Sequence, residues 1–190
     1  EASMCQFPLL NAWETGDSFY VEAELPGLAL EDLEIYMTDT STLAISDANL
    51  TITAGPYAHV TIERPAGAAN DFRIMYDTAP DGGSLTLNNL TMSNGSASGT
   101  PYCTIKHGGG GICITQADLT LTNSTVTGNY ADGYAGGILS RSGNVTLTSS
   151  TLSNNTSSKF AGGIYVFNKN LTLTNSTLSG NSANYVGGIW

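Results

Sequence analysis

The sequence predicts an all-β chain: a right-handed parallel β-helix, a solenoid of stacked coils, preceded by a short antiparallel β segment. Three observations lead there. One phrase recurs at a fixed interval: Leu119 opens LTLTNSTVTGN, Val145 opens VTLTSSTLSNN and Leu171 opens LTLTNSTLSGN, with starts 26 residues apart both times (145 − 119 and 171 − 145). A second phrase, Gly-Gly-Ile, keeps the same beat at 110–112, 136–138, 162–164 and 187–189, in steps of 26, 26 and 25. Within each copy, Leu or Val alternates with Thr, which is strand spacing with one buried face. Self-similarity at a period of ~20–50 residues marks stacked repeats.

Each repeat supplies three apolar points, at the paired Leu or Val, at the residue five further on, and at the Ile after Gly-Gly. The reading is three short strands and three corners per coil, with no helical periodicity. One coil cannot bury these points alone, whereas coils stacked strand over strand join them into a continuous interior. The residues expected inside are Ile112, Leu121, Val126, Ile138, Leu147, Leu152, Ile164, Leu173 and Leu178. Asn129, Asn155 and Asn181 fall at equivalent places, so they predict a column at the strand spacing of ~4.8 Å. Their amides can bond to the amides above and below, and Asn tolerates the left-handed conformation that such corners need. We read this column as an internal structural ladder, with ligand binding as the alternative. The paired glycines predict a corner too tight for a Cβ. A looser copy, LTLNNLTMSNG, begins at Leu85, 34 residues before Leu119, so about eight residues are inserted between them.

Charge divides the chain. Residues 1–63 carry eleven acidic residues and no Lys or Arg, while residues 64–190 carry five Asp and six basic residues. The net −10 therefore belongs to the first third. An acidic chain does not bind nucleic acid by neutralising phosphates, so that class of partner is set aside. No apolar run approaches the ~18 residues of a membrane-crossing helix, and no basic-then-apolar signal peptide opens the chain. The chain begins without Met and stops at Gly187-Gly188-Ile189-Trp190, the opening of another repeat, so it is expected to be a piece of a longer protein. An open last coil is expected to self-associate, since it exposes apolar points and unpaired backbone.

Residues 1–39 read as an acidic β segment and residues 40–190 as the solenoid. In the first part, Phe19, Val21, Ala23 and Leu25 alternate with polar residues, Pro26-Gly27 marks a turn, and Leu33, Ile35 and Met37 alternate again. The run Ala23-Glu24-Leu25-Pro26-Gly27, followed by Glu31-Asp32-Leu33-Glu34-Ile35 and preceded by Trp13-Glu14, resembles the start of the α-crystallin domain of small heat-shock proteins, truncated after about 30 residues. From about Thr40 the chain turns to repeats, with Leu43-Ala44-Ile45, Leu50-Thr51-Ile52-Thr53 and Val60-Thr61-Ile62. Residues 40–190 resemble the Gly-Gly-Ile-Tyr and Leu-Thr-Leu-Thr-Asn-Ser-Thr repeats of bacterial β-helix proteins with a pectin-lyase-like fold, of the polymorphic outer-membrane or adhesin kind. That resemblance implies a secreted or cell-surface location and partners among carbohydrates or host and cell-surface components. The acidic segment is expected to cap the first coil, with a gene-fusion remnant and an artificial junction as alternatives.

Candidate chemistry is sparse. Cys103 and Cys113 bracket the insertion, with His107 between them. A disulfide, a pair of free thiols and a three-ligand metal set are the readings, and the metal set matches no recognised zinc spacing. Many β-helices cut acidic polysaccharides. Hydrolysis needs two carboxylates facing one groove at ~5–9.5 Å, and elimination needs a base beside Arg or a metal. The densest charges, Glu63, Arg64, Asp71, Arg73, Asp77 and Asp81, are the candidate catalytic set, against the plainer reading of solvated corner charges. His59 stands alone beside a strand. Sequons recur, at Asn123, Asn144 and Asn175 among others, as a repeat rich in Asn and Thr makes them by composition. No cofactor is expected. The leading functional expectation is a non-enzymatic structural or display segment. A polysaccharide-active enzyme and a small heat-shock-like chaperone fragment are the alternatives.

Overall fold

Alternation of apolar and polar residues sets the strands, and stacking sets everything else. Leu85, Leu87, Leu119, Leu121, Val145 and Leu147 are buried, while the Thr between them stay partly exposed. The computed structural model describes residues 9–15, 18–24, 34–36, 43–45, 49–55, 60–68, 70–78, 82–98, 103 and 108–190, with side chains from residue 49 onward.

Four parallel sheets run the length of the described solenoid. Sheet one holds the strands Leu43–Ile45, Met75–Asp77, Ile112–Ile114, Ile138–Ser140 and Ile164–Val166. Sheet two holds Asn49–Thr53, Ser84–Asn88, Asp118–Thr122, Val145–Thr148 and Leu171–Thr174. Sheet three holds Glu34–Tyr36, Val60–Glu63, Leu90–Ser93, Thr125–Thr127, Thr151–Ser153 and Thr177–Ser179. Sheet four is narrower, made of Ser96–Ala97, Tyr130–Ala131, Thr156–Ser157 and Ser182–Ala183. The expectation of three strands per coil is therefore corrected to four. The two-residue strands of sheet four lack an alternating pattern long enough to read from sequence.

Register follows the repeat. Leu119 stands against Val145 and Val145 against Leu171, and Leu85 stands directly against Leu119, so the insertion does not shift the stack. Like side chains thus meet like, and one apolar core runs from Val60 to Ile164. Of the nine residues expected inside, seven are buried, from Ile112 to Ile164. Leu178 is half-buried, and Leu173 is 39% exposed although it holds the inward register. Both belong to the C-terminal coil of the described residues.

The glycine corner is a matter of close approach. A Cβ on Gly137 would lie 2.6 Å from the Gly163 carbonyl oxygen, and one on Gly163 would lie 2.8 Å from that of Gly188. These glycines pack coil on coil, and their φ angles are not in the left-handed region.

The N-terminal reading needs one change. Leu9–Thr15 and Ser18–Glu24 form an antiparallel hairpin, as an antiparallel segment requires. The second strand expected over 33–37 does not join it. Glu34–Tyr36 instead runs parallel to Val60–Glu63 and opens sheet three. An isolated hairpin is marginal in water, and a β-rich segment next to an open sheet edge gains more backbone bonds by pairing with that edge. The hairpin's second strand comes within 8 Å, Cα to Cα, of Asn49–Thr53, the edge strand of sheet two.

Candidate functional site

Inside the corners the polar side chains form two spines. The Gly95 N–H donates to Asn129 Oδ1 at 2.8 Å. Asn129 Nδ2 donates to Asn155 Oδ1 at 2.9 Å, and Asn155 Nδ2 to Asn181 Oδ1 at 3.0 Å. The same oxygens accept the backbone N–H groups of Asn129 and Asn155, and each amide also reaches a carbonyl of the preceding coil, that of Met92, Val126 or Leu152. Asn129, Asn155 and Asn181 are thus a ladder whose donors and acceptors are consumed by the fold. Their backbone conformation differs from the expectation. The left-handed residue is the one before, Asn94, Gly128, Asn154 or Gly180. The ladder amide works from ordinary φ, while its exposed predecessor makes the turn.

A second spine went unread in the sequence. Ser124 and Ser150 are buried, and their hydroxyls accept the N–H of Leu90 and of Ser124, each at 3.2 Å, while Ser176 accepts the N–H of Ser150. The preceding Asn123, Ser149 and Asn175 are left-handed, with φ of 48°, 49° and 50°. A third column is aromatic. Tyr134 stacks on Phe160 at 4.8 Å between ring centroids, and Phe160 on Tyr185 at 4.6 Å. The signal for both lay in the same beat: Ser inside the Asn-Ser-Thr or Ser-Ser-Thr corner, and an aromatic residue two before the last three of the four Gly-Gly pairs.

The charged candidates separate into two places. Glu63, Arg64 and Asp71 sit where sheet three turns into sheet four. Glu63 Oε2 accepts from Ser93 Oγ and Asn94 Nδ2, both at 3.1 Å. Arg64 Nε donates to the Asn94 carbonyl at 3.1 Å, and its Nη2 lies 3.8 Å from Asp71 Oδ1. Arg64 and Asp71 border a groove of ≈ 490 Å³ lined also by Ser96, Gly128 and Tyr130. Tyr130 is 39% exposed, leaving its ring accessible there. Asp77 ends a strand of sheet one, Arg73 lies two residues before that strand, and both are buried. The Arg73 guanidinium stands 5.3 Å from the centre of the Tyr76 ring. Burial lowers its pKa from the usual arginine value, and the neighbouring Tyr76 opposes that shift. Asp81 and His59 lie outside the described residues.

The five described charges therefore do not converge on one groove. Among the described residues Asp71 is the one carboxylate lining the groove, Arg64 already pairs with it, and Glu63 is held by Ser93 and Asn94. Such a groove can hydrogen-bond a polar ligand and stack it on Tyr130, but among the described residues it has no facing second carboxylate of the kind that inverting or retaining hydrolysis uses.

Cys103 and Cys113 form a disulfide across a sequence separation of 10, with Cα atoms 6.0 Å apart. Both are buried in a satellite cluster with Ala135 and Leu139, against Tyr76, Tyr134 and Tyr165. Bonded to each other, the sulfurs offer no thiolate to a metal, which corrects the Cys103, His107 and Cys113 alternative. His107 itself lies outside the described residues. Among the described residues no helix is long and apolar enough to cross a membrane.

A family model described as a right handed beta helix region matches residues 78–190. No curated protein and no solved structure matches the chain. Residues 7–39 lie outside the family match, and their resemblance to the α-crystallin domain gains no support from it. The match covers more than half of the chain and coincides with the stacked, in-register parallel strands described above. The chain belongs to the right-handed β-helix family.

Proposed function

We propose that the chain is a non-enzymatic structural or display segment of a secreted or cell-surface protein, with residues 1–39 capping its first coil. The observation that carries this reading is the pair of polar spines. From Gly95 to Asn181 the same amide and hydroxyl contacts recur coil after coil, so each coil's inward polar groups serve stacking. A rod built this way holds its outer surfaces at fixed spacing, which suits display. The Cys103–Cys113 disulfide supports the location, because disulfides persist in oxidising compartments. The approach of the hairpin to the edge of sheet two supports the cap. Incubating the chain with pectate, alginate and similar polymers tests the non-enzymatic reading. No rise in reducing or unsaturated ends is expected, and robust turnover overturns it.

The groove at Arg64, Asp71 and Tyr130 favours a second reading, a polysaccharide-active site. Loss of any polymer cleavage in Asp71→Asn would support that reading over the first.

A further inference from the structure

Beyond an edge column of Asn49, Ser84 and the exposed Asp118, the outer face of sheet two carries two columns of side chains in strict register. One column is Thr51, Thr86, Thr120, Thr146 and Thr172, and the other is Thr53, Asn88, Thr122, Thr148 and Thr174. Nine of these ten outward positions are Thr, and none is charged or aromatic. The positions between them, from Leu50 through Leu173, point inward, so all ten emerge on the same side. Among the described residues the hydroxyls of these two columns have no protein partner except Thr53, which accepts from Asn88 Nδ2 at 3.0 Å, while in the edge column Ser84 Oγ donates to Asn49 Oδ1 at 2.8 Å. Sheet three differs in this respect. There Thr127 bonds Ser153 at 2.9 Å, and Ser93 bonds Glu63.

β-propensity accounts for Thr on a strand. It does not account for two adjacent Thr columns: sheet three has one, Thr61, Thr91, Thr125, Thr151 and Thr177, and its second outward column is Glu63, Ser93, Thr127, Ser153 and Ser179. What Thr adds over Ser is a methyl group beside each hydroxyl, fixed by the stiffness of a β-branched side chain. The result is a two-dimensional lattice of paired methyl and hydroxyl groups, ~4.8 Å between rungs and about 6.6 Å between alternate residues on a strand. Uniform stacking over many strands is held by side-chain ladders, and the Asn and Ser spines hold these rungs.

A small ligand engages one rung and has no use for five equivalent ones. A partner that matches every rung must itself be periodic in two directions. Crystalline polysaccharide is such a partner, but its sugar rings stack on aromatic side chains, and the aromatic column stands with Tyr134, Phe160 and Tyr185 away from this face. Crystalline water fits the chemistry better. The methyl groups restrict the orientation of the water beside them, and the free hydroxyls hydrogen-bond it in register. We propose that the Thr face of sheet two binds ice.

The test uses the full chain, labelled at its amino terminus, in two measurements: partition into a slowly growing ice hemisphere, and thermal hysteresis. The wild-type chain is expected to enter the ice and to separate freezing from melting. Thr120→Arg with Thr146→Arg, on the central rungs, should abolish both effects while circular dichroism and the melting temperature hold. Thr151→Arg on sheet three should leave both effects intact. Thr146→Ser, which keeps the hydroxyl and loses only the methyl, should fold and should weaken both. A wild-type chain expelled from ice overturns the proposal. So does equal loss in Thr151→Arg, or retention on crystalline cellulose or chitin without entry into ice.

Discussion

Leu147→Ala tests the register of the core most directly. Leu147 is fully buried, stacked between Leu121 and Leu173 in neighbouring coils. Removing three carbons forfeits about 2.4 kcal/mol of transfer free energy at ~0.8 per methylene. The coils above and below are pinned by the Asn and Ser spines and by glycine contacts, so the site collapses poorly. A residual cavity of about 60 Å³ adds roughly 1.4 kcal/mol at ~24 cal/mol per Å³, and the sum of about 4 lies in the upper part of the ~2–5 range for Leu→Ala. Leu173 has the same register but is 39% exposed, in the C-terminal coil of the described residues. Leu173→Ala should therefore cost on the order of 1.5 kcal/mol, the buried share of the transfer energy with no closed cavity. Urea unfolding followed by circular dichroism measures both, compared by midpoint at constant slope. If Leu147→Ala costs under ~1 kcal/mol, or no more than Leu173→Ala, the inward assignment fails.

Asn155→Ala removes the oxygen that accepts two donors from Asn129 and the amide that reaches Val126 and Asn181. Leaving these groups buried and unmet should cost about 3 kcal/mol, and a loss below ~1 in the same unfolding experiment would mean that water replaces the ladder. Gly136→Ala places a Cβ 2.5 Å from the Thr156 nitrogen, whereas Gly188→Ala meets nothing within 4 Å. The first should lower the melting temperature by the equivalent of ~1–3 kcal/mol and the second should leave it nearly unchanged; equal effects would refute the close-approach reading. Deleting residues 1–39 removes the strand paired with Val60–Glu63 as well as the hairpin, and a lower melting temperature is expected. An unchanged one makes the segment a passenger.

The winding, the coil length and the inward residues of the regular coils were legible in the sequence, because each depends on a pattern repeated in the chain itself. An apolar residue at a fixed beat has one place to go when a single coil cannot bury it, and a repeated Asn lands above its copy once the coils stack. The corners were read only in outline. Which residue turns left-handed, Asn154 or Asn155, depends on where the backbone bends, and both are Asn in the same phrase. Features without a repeat escaped the sequence. Whether Glu63, Arg64, Asp71, Arg73 and Asp77 share a groove turns on which sheet each one joins, and five charges close in the chain end on two sides of the coil. The choice of Cys103 and Cys113 to bond each other depends on their meeting across the insertion. Glu34–Tyr36 left the hairpin for sheet three because strand pairing is decided by the edge within reach, and local alternation carries no record of which edge that is.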